Sequence, residues 1–214
     1  MRAITLLAIA TSVSFAQDTR GRAADPLGRL DPSTRYAVEM LMDSARMVGL
    51  PYGPLESKAL EGIAKRASSR DILVAVRRVF RSLRDARTAL GPSASADELA
   101  AGAGALRVGV VGSELSHLAA TRNGNRLTVP LVVLADLVTR GVPRDTASLT
   151  IFQLWLHGAA DDDFLGLWRS VERDIVSGTD PGVALLNRAR EIPAKGPSTA
   201  VPPATGVRPE DAKS

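Results

Sequence analysis

Residues 69–90 read SRDILVAVRRVFRSLRDARTAL and run into Gly91-Pro92. Within them Ile72, Val76, Val79, Leu83, Ala86 and Leu90 recur at alternating steps of four and three, the spacing that gathers side chains along one side of an α-helix. Ser68 or Ser69 is placed to accept from the free amides of the first turn, and Gly91-Pro92 stops the helix. No stretch alternates with the period of two that a half-buried strand needs, so the chain reads as all-α.

The same punctuation continues on either side. Upstream, Asp31-Pro32 opens a helix whose apolar side is expected to be Tyr36, Met40 and Met47, and Gly49-Leu50-Pro51 ends it; a shorter helix follows over about 55–67. Downstream, Ser95 with Glu98 has the capping-box spacing, and that helix ends at Gly109-Val110. Ser113 is expected to cap the next, which stops at Asn123-Gly124-Asn125. Gly141-Val142, Gly158-Ala159 and Gly178-Thr179 then repeat one device: a left-handed glycine past a helix end, with Asp145, Asp161 or Asp180 starting the next helix. About nine helices joined by short connections make an antiparallel multi-helix bundle or a short α-solenoid, the glycine spacing being close to the period of helical-repeat arrays.

The chain has 214 residues, 45% hydrophobic and 23% charged, which suits one globular domain with tails. Met1-Arg2, an apolar run to Phe15 and Ser14-Phe15-Ala16 form a signal-peptide pattern, with cleavage expected after Ala16 and the product periplasmic or extracellular. The division is then 1–16 signal peptide, 17–30 linker, 31–192 helical domain and 193–214 Pro-rich disordered tail. No transmembrane segment is expected after cleavage, because the longest remaining apolar stretch, 127–138, is short and broken by Pro130 and Asp136.

Leu55-Glu56-Ser57-Lys58-Ala59-Leu60-Glu61-Gly62, with Leu134-Ala135-Asp136-Leu137-Val138 and Gly141-Val142-Pro143, resembles a pattern in exported bacterial helical proteins that have no assigned activity. The resemblance spans roughly residues 49–189 and implies a helical-repeat-like fold, with no functional residue to carry over.

Chemistry is sparse. The absence of cysteine removes disulfides, thiolate metal sites and thiol nucleophiles. His117 and His157, the only imidazoles, lack any metal-ligand spacing, and His157 before Gly158 reads as a residue of a helix end. Ser113, Ser116 and His117 lie close in sequence without a nucleophile elbow. Asp161-Asp162-Asp163 lacks the spaced ligands of a calcium loop and suits a helix start. Phe152 with Trp155, and Phe164 with Trp168, are expected to share faces and to meet across the Gly158 turn as core. Gly102 and Gly104 in an Ala-rich helix allow close helix approach, and no cofactor is implied.

The remaining feature is charge, formally +4, of which Arg2 leaves with the leader. With Ile72 at zero on the 69–90 helix, Arg84, Arg77, Arg70 and Arg81 fall at about 120° to 180°, opposite the apolar stripe. Four guanidinium groups on one face suit phosphate or carboxylate groups of an anionic envelope partner or an acidic protein; without interleaved aromatics, nucleic acid is not expected. A non-enzymatic interaction or structural module is therefore the leading expectation. The alternatives are a helical-repeat scaffold that uses this arginine face, and an envelope hydrolase built on Asp/Glu pairs, with Glu56, Glu61 and Asp136 as candidates.

Overall fold

Ser68 takes an extended conformation and its hydroxyl accepts from the Asp71 amide at 3.2 Å, which starts the long helix. In the computed structural model, which describes residues 25–122 and 124–193, that helix is Ser69–Leu90 and ends at Gly91 with φ of 83°. Ile72, Val76, Val79, Leu83, Ala86 and Leu90 are all buried, as their spacing requires. In chain order the elements are α1 (Pro32–Met47), α2 (Gly53–Ala64), α3 (Ser69–Leu90), α4 (Ala96–Arg107), α5 (Gly112–Ala120), α6 (Thr128–Thr139), α7 (Arg144–Leu156), α8 (Asp161–Val176) and α9 (Pro181–Ala189). These nine helices are the regular structure among the described residues, with no strand, so the chain is all-α.

Two helices organise the packing. α3 is touched by α1, α2, α4 and α5, and α6 by α4, α7 and α8, with α9 closing against α7 and α8. The choice of α6 follows from its composition: TVPLVVLADLVT is apolar nearly all round, and such a helix belongs in the middle of a fold. Pro130, Leu131, Val133, Leu134 and Leu137 are buried there. None of the described helices is long and apolar enough to cross a membrane.

α1 and α3 run in the same direction, with α2 returning between them. The Ser69 hydroxyl donates to Asp31 Oδ2 at 2.6 Å at one end, and the Arg87 guanidinium donates to the Gly49 carbonyl at 2.9 Å at the other. The antiparallel rule from short connections thus holds for chain neighbours here and not for the α1/α3 pair. The close approaches fall at Gly62, where an added Cβ would stand 2.6 Å from Ile72 Cγ1, and at Gly102, where it would meet Leu90 at 2.9 Å and Leu115 at 3.2 Å. Gly104 has no such neighbour, so only the first glycine of that pair serves helix approach.

Helix ends recur in form. After α1, α2, α4, α6, α7 and α8 the chain reverses through a hydrogen bond from an amide to the carbonyl five residues earlier, Val142 to Leu137, Ala159 to Leu154 and Thr179 to Asp174 among them. Gly141, Gly158 and Gly178 carry φ of 92°, 76° and 97°. The helix starts are less uniform than the sequence reading. Asp180 is an N-cap that accepts from the Val183 amide, but Asp145 lies inside α7 beside Arg144, and Asp161 is the first residue of α8. There Asp163 reaches back to the Ala160 amide instead. Ser113 likewise is not the cap of α5; Glu114 accepts from the Val111 amide at 2.9 Å. A carboxylate three residues in reaches the first free amide as well as a cap does, so the sequence pattern fits both arrangements.

Asp25–Leu30, inside the stretch read as linker, form a turn, and Leu27 is buried against the core while Asp25 pairs with Arg35. The leader with its cleavage point after Ala16, residues 17–24, Asn123 and the tail beyond Pro193 lie outside the described residues.

Glu98 is the one fully buried carboxylate among the described residues, 2% exposed. It accepts from its own helix start, the Ser95 amide at 2.8 Å, and from the buried Leu127 amide at 2.8 Å, with Arg122 3.3 Å away. Burial by itself raises its pKa, but the Leu127 and Ser95 amides and the Arg122 charge outweigh burial and leave it below the ordinary value. A depressed pKa contributes stability that is complete above the unfolded-state value and is lost as pH falls through the folded one. Glu98→Gln should therefore flatten the acid side of the stability profile below pH of about 4.5, measured by denaturant unfolding from pH 7 to 3. Glu98→Ala, which leaves the Leu127 amide and Arg122 without their partner, should cost about 3 kcal/mol.

Arg66 is the sole described residue other than glycine with positive φ, 53°, at the reversal after α2. A Cβ there is strained and glycine is not. Arg66→Gly should raise stability by about 0.5–1 kcal/mol in the same measurement.

Candidate functional site

The four arginines expected on one face do share it. Arg70, Arg77, Arg81 and Arg84 are all exposed along the outer side of α3. None of their guanidinium groups meets a carboxylate or another acceptor among the described residues, whereas Arg35, Arg46, Arg140 and Arg188 are paired. Arg78 joins them, exposed and equally without a partner.

Beside this stripe lies a second one that the sequence reading placed inside. Tyr36, Met40 and Met47 do not form the buried side of α1: they are 66%, 48% and 84% exposed, with Val48 at 59%. The buried side is Thr34, Val38, Met42 and Ala45. Both sets have helical spacing, and α1 therefore carries apolar residues on two opposite faces. The inner set is the one that faces the core, where α1 packs against α2 and α3. The outer set was detectable only as a second periodic stripe on the same helix.

The two stripes run level with each other and meet at one end, where Met47 and Arg84 line one groove. Ser69 meets Asp31 and Arg87 meets Gly49, so each residue of α1 lies level with the α3 residue numbered 38 higher. Tyr36 is then level with Val74, itself 45% exposed, and the Met40-to-Met47 stretch runs alongside Arg78, Arg81 and Arg84. At the far end Met47 and Val48 share a groove of about 430 Å³ with Phe80, Arg84 and Thr88. The outer surface of the pair thus exposes Tyr36, Met40 and Met47 on α1, with the Asp43–Arg46 pair among them, and five arginines on α3, with Asp85 among them.

The other sequence candidates are placed elsewhere. Glu56 and Glu61 stand on α2 and Asp136 on α6. Lys58 and Lys65 grip Glu61 at 2.7 and 2.6 Å and bring its pKa down to about 2, which makes it a fixed anion and not a proton carrier. The Ser116 hydroxyl donates to the Ala89 and Gly112 carbonyls, a packing role between α3 and α5. His117 is exposed on α5 with its ring 6.3 Å from that of Phe152. His157 is the exposed residue that ends α7. No group of three His, Asp or Glu side chains among the described residues is gathered to hold a metal ion.

Phe164 and Trp155 are buried, as core residues should be. The two aromatic pairs do not meet ring to ring, however: Trp155 turns to α5 and donates its indole N–H to Thr121 Oγ1 at 3.1 Å, and Phe152 turns to His117. α7 is held by α5 and α9 as well as by the turn into α8, so its aromatics are drawn to those partners.

No family model, curated protein or solved structure matches the chain.

Proposed function

We propose that this chain is an exported, non-enzymatic helical module that docks on an anionic surface through the paired outer faces of α1 and α3. The observation that carries the reading is the groove in which exposed Met47 and Val48 meet unpaired Arg84, at the end of an α1 face that exposes Tyr36 and Met40 and an α3 face that exposes Arg77 and Arg81. Guanidinium groups bind phosphate oxygens two at a time and keep their charge at any working pH. Tyrosine and methionine, set beside them, supply the apolar contact that enters the boundary between headgroups and acyl chains. Each arginine near an anionic lipid surface contributes about 1 kcal/mol, so the arginines alone give weak, salt-sensitive attachment, and the apolar stripe adds to it. Reversible recruitment to an envelope surface is what such a sum supports. The leader pattern at residues 1–16 supports the same setting, since it would deliver the chain to the envelope.

The test is co-sedimentation with vesicles of phosphatidylglycerol and phosphatidylcholine. The chain should bind the mixed vesicles, release them as salt is raised, and ignore pure phosphatidylcholine. Replacing Arg77, Arg81 and Arg84 together by Ser should weaken binding about 100-fold, with the helical circular dichroism unchanged. Binding that is independent of salt and unaffected by the triple substitution would sink the reading.

A further inference from the structure

A separate site lies on the other side of α3, where α5, α6 and α7 enclose a cleft of about 220 Å³. Its wall is apolar, formed by Leu118 of α5, Leu134 of α6 and Phe152 of α7, whose ring is braced by His117. Set into that wall is the Ser148 hydroxyl, buried and without any hydrogen-bond partner. Several serines and threonines inside these helices donate to the carbonyl four residues back, Ser82 to Arg78, Ser116 to Gly112 and Thr139 to Ala135 among them, whereas Ser57, Thr150 and Ser170 do not. Ser148 does not either, and its oxygen is buried behind the cleft wall, so the residue lines the cleft without offering it a polar atom.

The mouth is negative. Glu114 and Asp145 line it, one from the first turn of α5 and the other from the first turn of α7. Glu114 commits one oxygen to the Val111 amide, and Asp145 commits one to Arg144, which is also near enough to feel the charge of Glu114. Two carboxylates facing one guanidinium leave an excess of one negative charge and a free oxygen on each. An anion is repelled here, and a neutral apolar molecule uses only part of the site.

We propose that this cleft binds a small organic cation, an alkyl- or arylalkylammonium, with its apolar body against Leu118, Leu134 and Phe152 and its ammonium group toward Asp145 and Glu114. Size supports the class: a dry cavity of about 150 Å³ holds benzene, so this one admits one ring with a short amine-bearing chain. The adjacent rings of Phe152 and His117 offer a face to a cation as well as a wall to carbon. No step of bond making is implied. The site is a binding site, independent of the α1/α3 surface.

The experiment titrates 2-phenylethylammonium into the full chain and follows backbone amide signals by NMR, with 2-phenylethanol and phenylacetate as neutral and anionic controls of similar shape. The cation should bind at about millimolar affinity or better, as a ligand of this size permits, shifting the signals of Leu118, Ser148 and Phe152. The alcohol should bind about 10-fold more weakly, and the acid should leave those signals still. Asp145 is exposed and outside the core, so Asp145→Asn keeps the fold; it should weaken the cation about 5-fold or more while leaving the alcohol as it was. Ser148→Leu, which fills the cleft, should abolish both. Equal binding of cation and acid, or loss of nothing in Asp145→Asn, overturns the charge assignment; absence of any shift around the cleft with the cation overturns the site.

Discussion

The buried carboxylate of Glu98 is the interaction on which the placement of the middle helices depends. It caps its own helix through the Ser95 amide and reaches the Leu127 amide, the residue just before α6, 29 positions further on. α5 and the turn after it are strung between those two points, with Arg122 completing the charge. A buried carboxylate has few acceptable surroundings, and this one is satisfied only when α4 and α6 start side by side. Gly102 then lets Leu90 and Leu115 close on α4 from the other side. The relative positions of α5, α6 and α7, and hence the cleft between them, follow from this arrangement and from the wholly apolar α6 that fills the centre.

What could be read from the sequence is what local chemistry determines. The α3 stripe, the Ser95–Glu98 capping box and the glycine reversals at Gly141, Gly158 and Gly178 are each decided within about one turn of the chain, and the structure has them as read. The aspartates after those reversals were less legible, because first-turn carboxylates at different positions serve the same free amides. The face of α1 was misread for a different reason. Thr34, Val38, Met42 and Ala45 share one side, Tyr36, Met40 and Met47 the other, and periodicity ranks both as helical. The choice between them is made by how α1 packs against α2 and α3, and that is a tertiary constraint with no local signature.

The two proposed surfaces differ in the same way. The arginine face was visible because all four residues sit on one uninterrupted helix and can be placed on a wheel. The cleft was not, since its lining draws three residues from α5, one from α6 and four from α7, which only packing brings together. His117 and Phe152, 35 positions apart in the chain, are joined by packing alone.

Charge distribution gives the two surfaces opposite characters within one small domain. Where helices meet, cations are matched: Arg188 holds Asp174 with two bonds of 2.7 and 2.9 Å between α9 and α8, and Arg140 pairs with Glu172 between α6 and α8. These pairs sit at seams, where an unmatched charge would be costly. The outer face of α3 has no such partner helix, and Arg70, Arg77, Arg78, Arg81 and Arg84 remain free there, with the exposed Met47 and Val48 at the end of α1 beside Arg84. At the α5/α7 mouth the balance is reversed, with Glu114 and Asp145 facing Arg144 alone. The excess of each sign is thus gathered in a different part of the fold, arginine along the outside of α3 and carboxylate at the α5/α7 mouth, which favours an anionic surface at the first and a cationic ligand at the second.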